Sequence, residues 1–205
     1  MPLHVLTAGL LAAAALLLVI GAQNAYVLRL GLAAPTRVVT GVVLFCALSD
    51  TVLYAAGAAG LGALVSLAPW LMTVLWIVAI VFLLAYGLLS LRRALRGGDT
   101  LQAAAAAPPA LGAALATVAA FTWLNPHVYL DTMVMIGSLA NQFGADRWAF
   151  VVGAALASWA WFALLGFGAR WLRPLFARAW TWRALDAGIA VVMLALAAML
   201  VVRLL

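Results

Sequence analysis

Apolar runs dominate the chain, and polar residues interrupt them in short, widely spaced groups. The runs predict helices near residues 3–28, 38–61, 69–91, 110–140, 147–171 and 185–205. Each is long enough to cross a bilayer, which takes about 20 mostly apolar residues. Strands are not expected, because the runs are rich in Ala and Leu and do not alternate polar with apolar positions. The longest interruption holds Arg92, Arg93 and Arg96, then Gly97–Gly98–Asp99, an alanine run and Pro108–Pro109, which is turn and breaker chemistry.

The interruptions inside the runs carry the candidate chemistry. In the fourth run stands Thr122–Trp123–Leu124–Asn125–Pro126–His127–Val128–Tyr129–Leu130–Asp131–Thr132. Pro126 has no N–H and its ring clashes with the preceding turn, so a helix must open there. At membrane depth the freed backbone groups are tolerated only against protein or a water-filled cavity. Asp131 is costly in lipid, by about 2.5–3.5 kcal/mol on insertion scales. A broken helix beside a buried acid is the recurring signature of a transport site. Asp50, within Ser49–Asp50–Thr51, is a second carboxylate at depth, and an intramembrane ionisable group is a functional candidate by default. Gln23–Asn24 in the first run points to a cavity or equally to helix–helix hydrogen bonding. Asn125, Tyr129 and Thr132 form a polar line on the fourth helix, and His127 reads as a local hydrogen-bond partner. Asp186 reads as a first-turn acid on the sixth helix, where the helix dipole favours it, without further function.

Composition narrows the class. The chain has 205 residues, 69% hydrophobic and 8% charged, and its mean hydropathy is +1.22. A soluble domain of this size has too little interior for so much apolar surface. The net charge of +6 does not point to nucleic acid, because the arginines are scattered between apolar runs. They follow the positive-inside rule instead. With the N-terminus outside, the cytoplasmic side holds Arg29, Arg37, Arg92, Arg93, Arg96, Arg170, Arg173, Arg178 and Arg183. The other side holds only Arg147 and Arg203. This predicts both termini outside and the linker in the cytoplasm. No Lys or Arg precedes Arg29, so the first run lacks the basic start of a signal peptide and reads as a retained helix. Cys46, the single cysteine, reads as a small buried hydrophobe. Neither a cofactor nor a metal cluster is expected. Small-residue faces such as Gly57/Gly60 suit a homodimer or internal packing alike.

The chain divides into residues 1–92, a linker over 93–110, and residues 111–205. Each flank holds three helices and opens with a helix interrupted at an asparagine: Gln23–Asn24–Ala25–Tyr26–Val27–Leu28 in one, Leu124–Asn125–Pro126–His127–Val128–Tyr129 in the other. An odd helix count per half forces the halves into opposite orientations. The expected fold is an all-α integral membrane protein of six transmembrane helices, arranged as two inverted three-helix repeats. Asn24 and Asn125 should then approach each other near the midplane.

Three blocks, Gly21–Ala22–Gln23–Asn24–Ala25–Tyr26–Val27, Cys46–Ala47–Leu48–Ser49–Asp50 and Thr122 to Thr132, resemble the lysine/arginine exporter (LysE/ArgO) family of bacterial inner-membrane transporters. The likeness covers essentially the whole chain. It implies a non-enzymatic secondary exporter of L-arginine and L-lysine in the inner membrane, with the family's intramembrane aspartates at Asp50 and Asp131. The family's usual Gly-Pro-Gln-Asn motif reads Gly-Ala-Gln-Asn here, which weakens the symmetry between the first break and Pro126. The expected mechanism is proton antiport by alternating access. Asp50 and Asp131 would meet the substrate's cationic groups; Gln23, Asn24, Asn125 and the opened helix at Pro126 would hold its carboxylate, with Ser49 and Tyr129 beside them. Relatives that export neutral amino acids or metal ions leave those substrates as alternatives. An intramembrane aspartyl protease would also need two acids, but neither sits in a Gly-x-Gly-Asp motif. A purely structural subunit would need neither.

Overall fold

The computed structural model of the chain describes residues 2–18, 21–61, 69–96 and 109–204. Among them the secondary structure is entirely helical. The first apolar run is split. Helix α1 spans Leu3–Leu17, and α2, Ala22–Ala33, leaves at 82° to it. Gly21, with φ −95° and ψ 176°, caps α2 in an extended conformation, so the chain turns here without a proline. Pro35 ends α2 by holding Ala34 extended, at φ −86° and ψ 157°. Helix α3 spans Thr36–Ala58. It stops earlier than the apolar run, because Gly60 takes φ 90°. There Gly60 N–H donates to the Gly57 carbonyl and Leu61 N–H to that of Ala56, the paired bonds of a Schellman motif.

Helix α4 spans Pro69–Arg96. Its last turn therefore includes Arg93 and Arg96, which the sequence reading placed in the linker. Cations at a helix C-terminus are favoured by its dipole, so the arginines extend the helix rather than end it. The rest of the expected linker, to residue 108, lies outside the described residues. The fourth run is also split. Helix α5 spans Leu111–Trp123; α6 follows through Pro126–Val128, a π-helical stretch Tyr129–Ile136 and Gly137–Asn141. Helix α7 covers Arg147–Ala163 and continues as π-helical Leu164–Gly168 and 3-10 helical Ala169–Leu172. Helix α8 spans Ala179–Leu204. It begins six residues before the run read from sequence, so Asp186 stands beyond the first turn and its dipole explanation fails.

Among the described residues, four helical segments are long and apolar enough to cross a membrane, and the bent α1–α2 pair makes a fifth if it is one span. Helix α5 alone is too short. Contacts along the helices give their directions. Thr36 meets Arg170, Asp50 meets Ser158 and Thr51 meets Trp159, so α3 and α7 run antiparallel. Ser49 meets Trp123 and Gly57 meets Met133, so the α5–α6 segment runs parallel to α3. Asn24 meets Trp161 and Gly31 meets Gly166, so α2 runs parallel to α7. Helices α4 and α8 pack against each other along their lengths. Cys46 is fully buried in the core with Val42, Phe121 and Phe162.

Several crossings are set by glycine, two of them at the broken segments α2 and α6. A β-carbon on Gly31 would overlap the Gly166 carbonyl, and one on Gly137 would lie 2.6 Å from the Gly57 carbonyl carbon. At both places backbone meets backbone, as small residues permit.

Candidate functional site

A cavity of about 390 Å³ opens between the two helix breaks. Asp50 and Asp131 both line it, and so do Gln23, Asn24 and Asn125. The two asparagines thus face one space. Its apolar wall includes Leu16, Phe121, Phe162 and Leu196.

The acids differ in setting. Asp50 is 4% exposed, on a face of α3 turned to α7, and Ser158 Oγ donates to its Oδ2 at 2.7 Å. Asp131 lies on the π-helical stretch of α6 and is exposed, which puts it at the cavity's rim. Tyr54, one helical turn beyond Asp50, also lines the cavity, within electrostatic range of both carboxylates.

The breaks are built differently. Asn125 accepts a bond from His127 N–H through its side chain at 3.1 Å, while Pro126 takes the first helical position. That is an N-cap with proline at N1, and it leaves little free donor capacity. At the first break, by contrast, no side chain caps α2. The start of α2 lines the cavity through Gly21, Ala22, Gln23 and Asn24, at the helix end where the dipole favours an anion. Asn24 is positioned by both ends of its amide: Nδ2 donates to the Leu17 carbonyl at 2.8 Å, and Oδ1 accepts from Trp161 Nε1 at 3.3 Å. Gln23 Nε2 and His127 Nε2 are buried, with no geometrically good hydrogen bond among the described residues, and both residues line the cavity.

Three residues expected at the site do not line it. Ser49 is rotated about 100° from Asp50 around α3, and its Oγ accepts from Trp123 Nε1 at 3.2 Å. The Tyr129 hydroxyl reaches back over the break and donates to the Trp123 carbonyl at 2.7 Å. Pro126 starts α6. The bonds of Ser49 and Tyr129 and the position of Pro126 brace the break. Conversely, Tyr54, His127 and Thr132 line the cavity but were not assigned to the site from sequence. Tyr54 was findable, because it follows Asp50 by four residues on one helical face. Among the described residues, no three His, Cys, Asp or Glu side chains gather where they could hold a metal ion.

Residues 14–204 match the family described as LysE type translocator. A Mycobacterium bovis protein whose name assigns it provisionally to amino-acid transport is 43% identical over 183 residues, covering 89% of this chain and 90% of that one. The arginine exporter protein ArgO of Salmonella schwarzengrund is 39% identical over 187 residues, covering 90% of this chain and 87% of its own. ArgO of Shigella flexneri is 38% identical over the same shares. No solved structure matches the chain.

Proposed function

We propose, from the premise that the chain belongs to the LysE type translocator family, that it exports basic amino acids in exchange for protons. L-arginine and L-lysine are the expected substrates, and the bacterial inner membrane the expected location. The observation that carries this reading is one cavity lined by two carboxylates, Asp50 and Asp131, and by the start of α2. A basic amino acid has two cationic groups and one carboxylate. The acids match the cations, and the positive end of the α2 dipole, with Gln23 and Asn24, matches the carboxylate. The relatives named arginine exporters point to the same substrate.

Moving one net positive charge outward against an inside-negative potential costs ~2.3 kcal/mol per 100 mV. One proton moving inward cancels that charge. An aspartate able to hold a proton or a substrate cation, but not both, couples the two movements.

The helix directions support six spans in two inverted repeats, with α1–α2 and α5–α6 as the broken first span of each half. Helix α2 runs parallel to α7, as the α5–α6 segment does to α3; α3 and α7 run antiparallel. Exchanging the halves turns the first two relations into each other and leaves the third unchanged. The same exchange sets Asp50 opposite Ser158, so the acids are not each other's counterparts. The arginine distribution supports cytoplasmic placement of the segment between α4 and α5 and outside placement of both termini. Alternating access would then be a rocking of one half against the other.

Vesicles loaded with labelled arginine, lysine or a neutral amino acid, then given a pH step, test this reading. Arginine or lysine efflux should depend on the step and fail in Asp50→Asn and Asp131→Asn. Full arginine efflux in both variants refutes the carboxylate mechanism, and efflux of the neutral amino acid alone refutes the substrate class.

A further inference from the structure

A second charged cluster sits at the end of the bundle away from the cavity. Asp186 of α8 is buried, its side chain 8% exposed. Arg29 of α2 forms an ion pair with its Oδ1, and Arg93 Nε of α4 lies 3.2 Å from the same oxygen. Arg93 also donates to Ser90 Oγ at 2.6 Å. One carboxylate thus ties three helices together. Leu196 and Met199 on the same helix line the cavity, roughly 15–20 Å farther along at 1.5 Å per residue.

Aromatic rings fill the space between. Phe121 lines the cavity. Tyr86 packs edge-on against it at 5.2 Å, and Tyr26 meets both rings, at 5.7 Å from Phe121 and 5.9 Å from Tyr86. The Arg93 guanidinium lies over the Tyr86 ring at 5.6 Å. An unbroken series of contacts therefore leads from the cavity through Phe121, Tyr86 and Arg93 to Asp186.

We propose that Asp186, Arg29 and Arg93 form the latch of a gate at the arginine-rich end. The ion pairs hold α2, α4 and α8 together while the cavity is open at the other end. Their rupture frees Arg93 from Tyr86 and lets the rings part. A buried ion pair contributes little net stability over apolar residues of the same volume, whereas removing one partner is strongly disruptive. A contact of that kind suits an element with two discrete states. The inference rests on the chain's being an alternating-access carrier, and not on which amino acid it carries.

The test is accessibility. With Cys46→Ala as background, Ala25→Cys places a thiol in the buried core that Tyr26, Tyr86 and Phe121 share, and a charged, membrane-impermeant maleimide is applied to vesicles of each orientation. Asp186→Asn should raise the labelling rate from the arginine-rich side about tenfold or more. The exchange Arg29→Asp with Asp186→Arg should restore it to within about twofold of the parent. Arg93→Gln, at a side chain 36% exposed, should raise it in a protein that still folds, and covers the case in which Asp186→Asn does not. An unchanged rate in Arg93→Gln and in any folded Asp186→Asn overturns the latch, as does an exchange variant as open as Asp186→Asn. Labelling needs no transport, so a vesicle without arginine efflux but with these rates would refute the substrate and keep the latch.

Discussion

Ser158→Ala isolates the support of the buried carboxylate. Asp50 is 4% exposed, Ser158 is fully buried, and the bond between them is 2.7 Å long. A hydrogen bond to a charged group is worth about 1.5–3 kcal/mol, and each ~1.4 kcal/mol is tenfold in an equilibrium constant. If this bond holds the carboxylate where it meets the substrate cation, its loss should raise the KM for arginine roughly ten- to a hundredfold. Removing one hydroxyl leaves little void, so the amount of protein in the membrane should not change. The assay is counterflow of labelled arginine in proteoliposomes, with initial rates across a concentration series. Asp50→Asn keeps an acceptor for Ser158 while removing the charge. Ser158→Ala should therefore add little in the Asp50→Asn background, read by arginine-dependent thermal stabilisation where transport is too slow. A KM within about twofold of the parent, or full additivity of the two changes, refutes the reasoning.

Gly57→Ala puts a β-carbon 2.5 Å from the Met133 carbonyl oxygen and 2.8 Å from its α-carbon, so a helix must shift. The expected cost is ~1–3 kcal/mol, read as a lower melting midpoint in detergent. Gly112→Ala, with nothing within 4 Å, should be silent in the same assay. Asn125→Ala removes the cap of α6 and should cost ~1 kcal/mol, while Asn125→Asp, which keeps an acceptor for His127 N–H, should retain most of it. A fluorescent protein that matures only in the cytoplasm, inserted between residues 97 and 108, should glow; signal only from a reporter active outside the cytoplasm reverses the topology.

The helices and the second break were legible because their causes are local. A run of apolar residues needs a helix at membrane depth, and Pro126 cannot continue one. The acids were legible because a charge in such a run is conspicuous wherever it points. The first break was harder: Gly21 permits the extended conformation that caps α2 but does not require it, and no proline marks the 82° turn. Ser158, 108 residues from Asp50, sits in a stretch that reads as aromatic packing. Asp186 was misread for two reasons. The start of α8 was placed by hydrophobicity, which the Trp- and Arg-containing stretch 179–184 hides, and its partners lie 157 and 93 residues away. Ser49 and Tyr129 bond to Trp123 instead of lining the cavity, an arrangement that only the register of α3 against α5 decides.

The seats of Gly31 on Gly166 and Gly137 on Gly57 carry a mechanical consequence. Where bare backbones touch, no knob has to climb out of its hole before one rod tilts on the other. In the rocking proposed above, each seat would act as a fulcrum with low friction for tilt and a hard stop against closer approach. Because one seat joins each broken segment to a helix of the opposite half, a small angular change there would be levered into a larger displacement at the far ends of the rods.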